Sequence, residues 1–331
     1  MMIIKYKAET TNYNKLIDFL NRRNIKFLKR TKKRARFLII ISEIRESLLK
    51  EIEDSFIPDN ILKNERADEF LNKRRHINFK GRKQFLNDDF QIIAGPCSVE
   101  NKEQMDEIGN ILSDLDIKYI RGGAFKPRTS PYNFQGLEER GLELLKEQAD
   151  KYDFEIITEV MDIKNLNLIK KYTDILQIGS RNMYNYSLLK EVGKLDKPVL
   201  LKRGMSANYE EFILAAEYIY EQGNENILLC ERGIRTFEQR TRFTLDLMAV
   251  PILKKLADYP VIVDPSHGTG RWDLILPAAK AALSLGAQGI MIEVHPQPEM
   301  ALSDGDQSLN PTNFKKLVKK INHNINLLGK K

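Results

Sequence analysis

Residues 154–204 read FEIITEVMDIKNLNLIKKYTDILQIGSRNMYNYSLLKEVGKLDKPVLLKRG. Three short apolar runs, FEIITEV (154–160), DILQIGS (174–180) and PVLLKRG (198–204), are separated by longer segments that mix polar and spaced apolar residues. A short run that stays apolar on both faces suits a strand covered on both sides, as in a parallel sheet with helical crossovers. The same rhythm continues outward. QIIAGPC (91–97) and IKYIRGG (117–123) precede it, and NILLCERG (226–233), PVIVDPSHG (260–268) and GIMIEVHP (289–296) follow. Between the runs lie helical segments such as NKEQMDEIGNILSDL, YEEFILAAEYIYEQG and LILPAAKAALSLG. Eight parallel-type strands with crossovers predict a closed (β/α)8 TIM barrel over residues 90–331. A doubly wound sheet is the alternative, but its first loop usually carries a glycine-rich phosphate fingerprint, and AGPCSVE is not one.

The first 70 residues have a different rhythm: strand, helix, strand, strand, helix, strand. MIIKYKA alternates, and NYNKLIDFLNRRN places Leu16, Ile17 and Leu20 on one helical face. KFLKRTKK and ARFLIII read as strands around a basic turn. SEIRESLLKEIEDSF begins at a Ser42 cap and lines up Ile44, Leu48, Leu49 and Ile52, and NILKN is a last strand. The order predicts a small ferredoxin-like (βαββαβ) α+β domain over 1–70. Residues 71–89 read as a charged linker and a hairpin.

The chain of 331 residues is 42% hydrophobic and 30% charged, with a net charge of +7. That charge is local. Residues 1–75 hold 19 Lys and Arg against 11 Asp and Glu, and the rest holds 34 against 35. Basic residues inside the neutral body therefore need a local reason. The basic βαββαβ segment invites an RNA-binding reading, but such domains need exposed aromatics on their central strands and ARFLIII offers only Phe37. No nucleic-acid partner is expected. No apolar run approaches the roughly 20 residues that span a membrane, and the N-terminus has no signal-peptide pattern. With only Cys97 and Cys230, a disulfide framework is not expected, and the reading is a cytoplasmic protein.

Barrels of this type build their sites at the C-terminal strand ends. In order, these are Cys97, Arg121, Glu159, Arg181, Lys202, Arg232, His267 and Glu293. One set is cationic: Arg121, Lys126, Arg128, Arg181, Lys202 and Arg232. Converging cations repel unless an anion sits among them, and Arg takes phosphate or carboxylate as a fork where Lys takes it as a point charge. So many cations exceed what one monophosphate needs, which points to a substrate with both phosphate and carboxylate, or to two anionic substrates. The alternative is that they are rim residues paired with Glu159, Glu231 and Asp264. RGGAFKPRTSPYNFQG (121–136) adds a proline-stiffened loop with hydroxyls at Thr129 and Ser130, suited to a second phosphate. The other set is Cys97, His267 and Glu293, with a further oxygen from Asp304 or Asp306. A thiolate, an imidazole and carboxylates together describe a divalent metal site that suits Mn, Fe, Co or Zn. His295 is a rival ligand, ranked lower because it lies one step further out along its strand.

AGPCSVE, RGGAFKPRTSPYNFQG, LLKRG, CERGIRT, DPSHGTGR and IEVHPQPEMALSDGDQSL together closely resemble the type I beta group of 3-deoxy-D-arabino-heptulosonate 7-phosphate (DAHP) synthases, over residues 76–331. The resemblance implies a transferase that condenses phosphoenolpyruvate with erythrose 4-phosphate in the first step of the shikimate pathway, using a divalent metal. Carried over by motif, it implies metal ligands Cys97, His267, Glu293 and Asp304. It implies a phosphoenolpyruvate site of Arg121, Lys126, Arg181, Lys202 and Arg232 with Glu159 close by. Arg128, Thr129 and Ser130 would then hold erythrose 4-phosphate. Lys126, Glu159 and His267 are the residues that could activate the attacking water. The sister family that makes an eight-carbon product from arabinose 5-phosphate resembles KANRSS where this chain has KPRTS, which favours the four-carbon sugar. The N-terminal segment resembles, more loosely, the family's regulatory extension. That implies tyrosine or phenylalanine as an effector bound between subunits, and a homotetramer or homodimer.

Overall fold

The structure is a computed structural model, and it describes residues 2–7, 11–32, 35–40, 45–56, 58, 60–63, 90–126, 128, 130–257 and 259–327. The chain divides into two compact units, Met1–Lys73 and Arg74–Lys331. The expected hairpin, the Ser42 cap and Thr129 lie outside the described residues.

The first unit runs β1 (Met2–Lys7), α1 (Thr11–Arg22), β2 (Phe27–Lys32), β3 (Ala35–Ile40), α2 (Glu46–Phe56) and β4 (Asn60–Lys63). Its sheet has the order β2-β3-β1-β4, and β1 pairs antiparallel with both β3 and β4. Alternation along the strands turns Ile4, Tyr6, Leu38 and Ile40 to one face. There they meet Tyr13, Leu16, Ile17 and Leu20 of α1 and Ile52 of α2 in one core. Each such aliphatic side chain contributes roughly 1.5–3 kcal/mol by leaving water. The Tyr6 hydroxyl donates to the Phe56 carbonyl at 3.1 Å, and Arg23 pairs with Glu51 at 2.9 Å to tie the two helices together.

In the second unit, eight parallel strands close into a barrel. They are β5 (Gln91–Gly95), β6 (Tyr119–Arg121), β7 (Glu155–Glu159), β8 (Ile175–Ile178), β9 (Val199–Lys202), β10 (Ile227–Glu231), β11 (Val261–Val263) and β12 (Gly289–Glu293). β12 pairs with β5 over five residues and seals the ring. Around it lie α3 (Lys102–Asp114), α4 (Glu138–Tyr152), α5 (Ile163–Tyr172), α6 (Tyr186–Gly193), α7 (Tyr209–Tyr220), α8 (Ala249–Ala257), the short α9 (Pro265–Thr269), α10 (Trp272–Ser284) and α11 (Pro311–Leu327). Local signals set their starts: Asn101 caps α3, Asp162 caps α5, and Asn208 with Glu211 forms a capping box on α7.

Alternate strand residues serve two cores. Ile92, Ala94, Ile120 and Ile156 face the helices, while Ile93, Tyr119, Ile157, Leu200, Leu228 and Met291 fill the barrel. Cys230 belongs to this inner filling as a small apolar residue. At the mouth, Gly95 has φ +152, and a Cβ there would run into the Arg121 carbonyl, so only glycine lets β5 and β6 approach this closely. No helix among the described residues is long and apolar enough to cross a membrane.

Candidate functional site

The C-terminal strand ends surround a cavity of about 300 Å³. Its wall carries the six cations read from the sequence, Arg121, Lys126, Arg128, Arg181, Lys202 and Arg232, and adds Arg235 and Arg242. Against these eight cations the wall offers two carboxylates, Glu159 and Asp304. Burying an ion costs several kcal/mol even after relaxation. Arg121, Lys126, Lys202 and Arg232 are buried and call for counter-charge from the protein or from a ligand, whereas Arg181, Arg235 and Arg242 are exposed to water.

Some of that counter-charge is built in. Arg121 ends β6, donates to the Pro96 carbonyl at 2.6 Å and pairs with Glu293 at 3.0 Å. Lys202 ends β9 and pairs with Asp264 at 2.5 Å. Glu231 is the last residue of β10, yet it does not pair with its neighbour Arg232. It takes Arg203 at 2.8 Å and the Gly233 amide at 2.6 Å. Arg203 also reaches Asp246 at 2.9 Å, and the Tyr209 hydroxyl donates to the same Asp246 oxygen at 2.6 Å. This second pair therefore braces the loops after β9 and β10 without cancelling the cavity's charge.

Of the remaining cations, Arg242 pairs with Asp304. Among the described residues, Arg181, Arg232 and Arg235 form no ion pair, and the Arg232 guanidinium lies 4.0 Å from the centre of the Phe243 ring. Burial, opposed by Asp264, lowers the pKa of Arg232 from its ordinary value. Among the described residues, Arg121 Nε and one terminal nitrogen of Arg128 are buried without a hydrogen-bond partner. Buried donors are almost always satisfied, so these two point to an acceptor that the protein does not supply.

Beside the cations lies a compact donor set. Cys97 Sγ, a His267 nitrogen and one oxygen each of Glu293 and Asp304 all fall within 4.8 Å of one another. Cys97 follows β5, Glu293 ends β12, and His267 sits in α9. Asp304 comes from the loop after β12 in the left-handed conformation (φ +53), which aspartate tolerates better than most residues. Cys97 Sγ is 3.3 Å from Asp304 Oδ2, and His267 Nε2 is 3.4 Å from Glu293 Oε1. Asp306, the other acid weighed for the fourth place, lies outside this group.

Neighbours hold each donor in place. Lys126 Nζ donates to Cys97 Sγ at 3.1 Å and to its carbonyl at 2.8 Å. Asp264 accepts from His267 Nδ1 at 2.7 Å. Ser266 Oγ accepts from the Glu293 amide at 3.0 Å, and Gln307 donates to Glu293 Oε2 at 2.6 Å. Arg242 bridges Gln307 at 2.8 Å and Asp304 at 3.2 Å. Burial raises the pKa of Glu293, but His267 and Arg121 outweigh it and hold the carboxyl below its usual range. Asp304 is also held below its usual range, chiefly by His267 and Arg242 against its burial. Burial and Glu293 push the Cys97 thiol up to about 12, so a metal bound there would displace its proton. One sulfur, one imidazole nitrogen and two carboxylates suit a divalent transition metal, and imidazole Nδ1 already bound to a carboxylate is the usual support for such a ligand.

Glu159 ends β7 and reaches the wall beside Gly179, where any Cβ would collide with its carboxylate. Ser130 does not line the cavity, and its hydroxyl accepts from the Tyr132 amide at 3.3 Å. His295 stands apart from the donor set. It accepts from the Gln297 amide and reaches Glu100 at 3.3 Å. Sequence reading missed Arg235, Arg242, Gln307 and Asp264's position under the site. Asp264, not His267, follows β11 directly and caps α9, so the aspartate of DPSH was the available signal. Arg235 and Arg242 belong to the loop between β10 and α8, whose path no periodicity reveals.

The DAHP synthetase I family pattern matches residues 78–327. Phospho-2-dehydro-3-deoxyheptonate aldolase of Thermotoga maritima is 55% identical over 245 residues, covering 74% of this chain and 72% of that protein. The crystal structure of that organism's phospho-2-dehydro-3-deoxyheptonate aldolase (DAHP synthase) aligns with a TM-score of 0.79 at 44% identity, over 100% of this chain and 98% of the other. A 2-dehydro-3-deoxyphosphooctonate aldolase from Fusobacterium nucleatum is more distant, 31% identical over 74% of this chain and 91% of its own length. On these similarities, and with the strand-end cations and the four-residue donor set in one barrel mouth, the chain belongs to the DAHP synthetase I family.

Proposed function

We infer that this cavity joins phosphoenolpyruvate to erythrose 4-phosphate, releasing phosphate and forming the seven-carbon DAHP of the shikimate pathway. The observation that carries the reading is the juxtaposition in one mouth of eight cations with a sulfur, imidazole and carboxylate donor set. Two phosphorylated substrates, one of them also a carboxylate, match that excess of positive charge. Cys97, His267, Glu293 and Asp304 would hold a divalent metal, which supplies a Lewis acid for an aldehyde oxygen.

Arg121, Lys126, Arg181, Lys202 and Arg232 are assigned to phosphoenolpyruvate, with Glu159 beside them. Their role is electrostatic: donors already aimed at phosphate and carboxylate cost no reorganisation as charge shifts during the addition. Arg128, with Thr129 and Ser130 on its loop, is assigned to the sugar phosphate. An enol ester is a weak nucleophile, so fixing its C3 against the aldehyde carbon supplies much of the rate. Water then adds at C2 and phosphate leaves. With Nδ1 on Asp264, His267 would have no nitrogen free for proton transfer if its Nε2 held the metal, which leaves Lys126 and Glu159 as the residues to handle the proton of that water.

The test mixes the purified protein with phosphoenolpyruvate and either erythrose 4-phosphate or arabinose 5-phosphate, with and without chelator. Phosphate release is expected with the four-carbon sugar and is lost with chelator. Faster release with the five-carbon sugar would move the chain to the octulosonate branch.

Residues 1–70 are read as a ferredoxin-like regulatory domain, 71–89 as its tether and 90–331 as the catalytic barrel. The β2-β3-β1-β4 order with two helices supports the first assignment, and the absence of any proposed ligand before Cys97 supports the last. Tyrosine or phenylalanine is the proposed effector, acting only through its differential affinity for two arrangements of the protein.

A further inference from the structure

We propose that Asp264 is a positioning residue that couples metal binding to phosphoenolpyruvate binding, because one oxygen of this buried carboxylate holds both a metal-ligand imidazole and an anion-binding ammonium. The inference rests on the site assignments made under the proposed function and adds a link between the two halves of the site.

Asp264 directly follows β11 and is wholly buried. Its Oδ1 accepts from the His267 amide at 2.9 Å, which fixes the start of α9. Its Oδ2 accepts from His267 Nδ1 at 2.7 Å and from Lys202 Nζ at 2.5 Å. The two donors stand only 3.5 Å apart, so they share one oxygen. Beyond Nδ1, the ring presents Nε2 to Glu293 and Asp304, 3.4 and 3.9 Å away. Beyond Asp264, Lys202 lines the cavity.

Two donors on one acceptor compete. An anion that draws Lys202 toward the cavity leaves Oδ2 more fully to His267. A carboxylate hydrogen-bonded to the far nitrogen makes an imidazole a better metal ligand. In the other direction, a cation at Nε2 withdraws electrons from the ring and strengthens the Nδ1–H bond to Oδ2. Lys202 is then released toward the anion. Linkage requires the two effects to be equal in free energy. A metal and a dianion also attract directly through space, but that attraction does not pass through Asp264.

The experiment uses the full chain, Co²⁺ as the metal probe and phosphoenolpyruvate without any sugar, so that no turnover occurs. The Co²⁺ dissociation constant is measured by chelator competition with and without saturating phosphoenolpyruvate. In the wild type the ratio is expected to be about tenfold, within the usual range for coupled sites. In Asp264→Asn the amide cannot accept from all three donors, and the ratio is expected to fall by roughly threefold or more. Metal affinity alone would also fall, by ~10–100-fold, but a purely structural role would do the same and leave the ratio unchanged. Lys202→Met removes the other arm without touching Asp264, and its ratio should collapse to the same degree. A wild-type ratio near one, or an undiminished ratio in Lys202→Met, overturns the coupling whether or not Asp264→Asn folds. Failure of the wild type to bind Co²⁺ or phosphoenolpyruvate at all would overturn the site assignment, and this proposal with it.

Discussion

The two units of this chain invert the usual link between net charge and function. Residues 1–75 carry the whole basic excess, yet among the described residues of that unit no charged side chain is buried. The barrel is almost neutral, yet it buries Arg121, Lys126, Lys202, Arg203, Arg232, Glu231, Asp264 and Glu293. Surface charge is cheap because water solvates it; buried charge is costly and persists where something binds or braces it. The location of chemistry is therefore read from buried charge, and the lysines and arginines of the N-terminal unit whose side chains are described, such as Lys15, Arg22, Lys29 and Lys50, are exposed to water. The comparison also separates two kinds of stability. The small unit stands on an apolar core of side chains such as Ile4, Leu16, Leu20 and Ile52, whereas the barrel mouth sets like charges against carboxylates.

The largest expected effect falls on the donor set. Cys97→Ala or His267→Ala should cost at least ~100-fold in turnover, because losing a ligand exceeds the loss seen on removing a ligand's support. Thermal unfolding should show a folded protein. If a chelator-stripped wild type keeps full activity, the buried charges of the mouth do not serve a metal, and the contrast between the units loses half its content.

Next come the cations. Arg128→Ala should raise the Michaelis constant for erythrose 4-phosphate by roughly tenfold to a hundredfold, the worth of a hydrogen bond to a charged group, with a smaller change for phosphoenolpyruvate. Arg232→Ala should show the reverse ranking. Steady-state kinetics with each substrate varied in turn will show whether the two anion sites have been exchanged.

A core change in the small unit tests the other side. Ile52 is fully buried among Ile4, Leu16, Leu20 and Leu38. Ile52→Ala should destabilise that unit by about 2–5 kcal/mol. Calorimetry should show an earlier transition for the N-terminal unit, while turnover at low temperature stays unchanged. A parallel loss of turnover would mean that the barrel depends on this core.

The smallest effect on catalysis is expected from removing residues 1–75. Turnover should stay within about twofold, less than 1 kcal/mol of barrier. Inhibition by tyrosine or phenylalanine should disappear. Equal inhibition of full-length and truncated enzyme would place the effector on the barrel.

Much of this was legible in the residues. Strand runs are short and apolar, and all but FEIITEV (154–160) carry Gly or Pro at an end, so the barrel strands stand out, and the C-terminal ends of such strands carry the site by topology alone. Cys97, His267 and Glu293 could be named from their strand ends, as could six of the eight wall cations, while the fourth oxygen stayed open between Asp304 and Asp306. The same periodicity assigned Leu16, Ile17, Leu20, Leu49 and Ile52 to the core of the small unit, where they are buried. In both units, local period and strand-end position are properties of neighbouring residues, and a sequence displays these directly.

What the tertiary structure alone decided is pairing. Glu231 lies beside Arg232 in sequence but bonds Arg203, and Lys202 turns to Asp264, 62 residues away. Arg242 and Gln307 meet across 65 residues to steady Asp304 and Glu293. Asp304, with its backbone in the left-handed conformation, took the fourth place beside the donor set, and Asp306, two residues on, did not. Choices of this kind depend on distances set by how strands shear and loops return over the barrel. Those are long-range, three-dimensional quantities, and no local pattern of residue types encodes them.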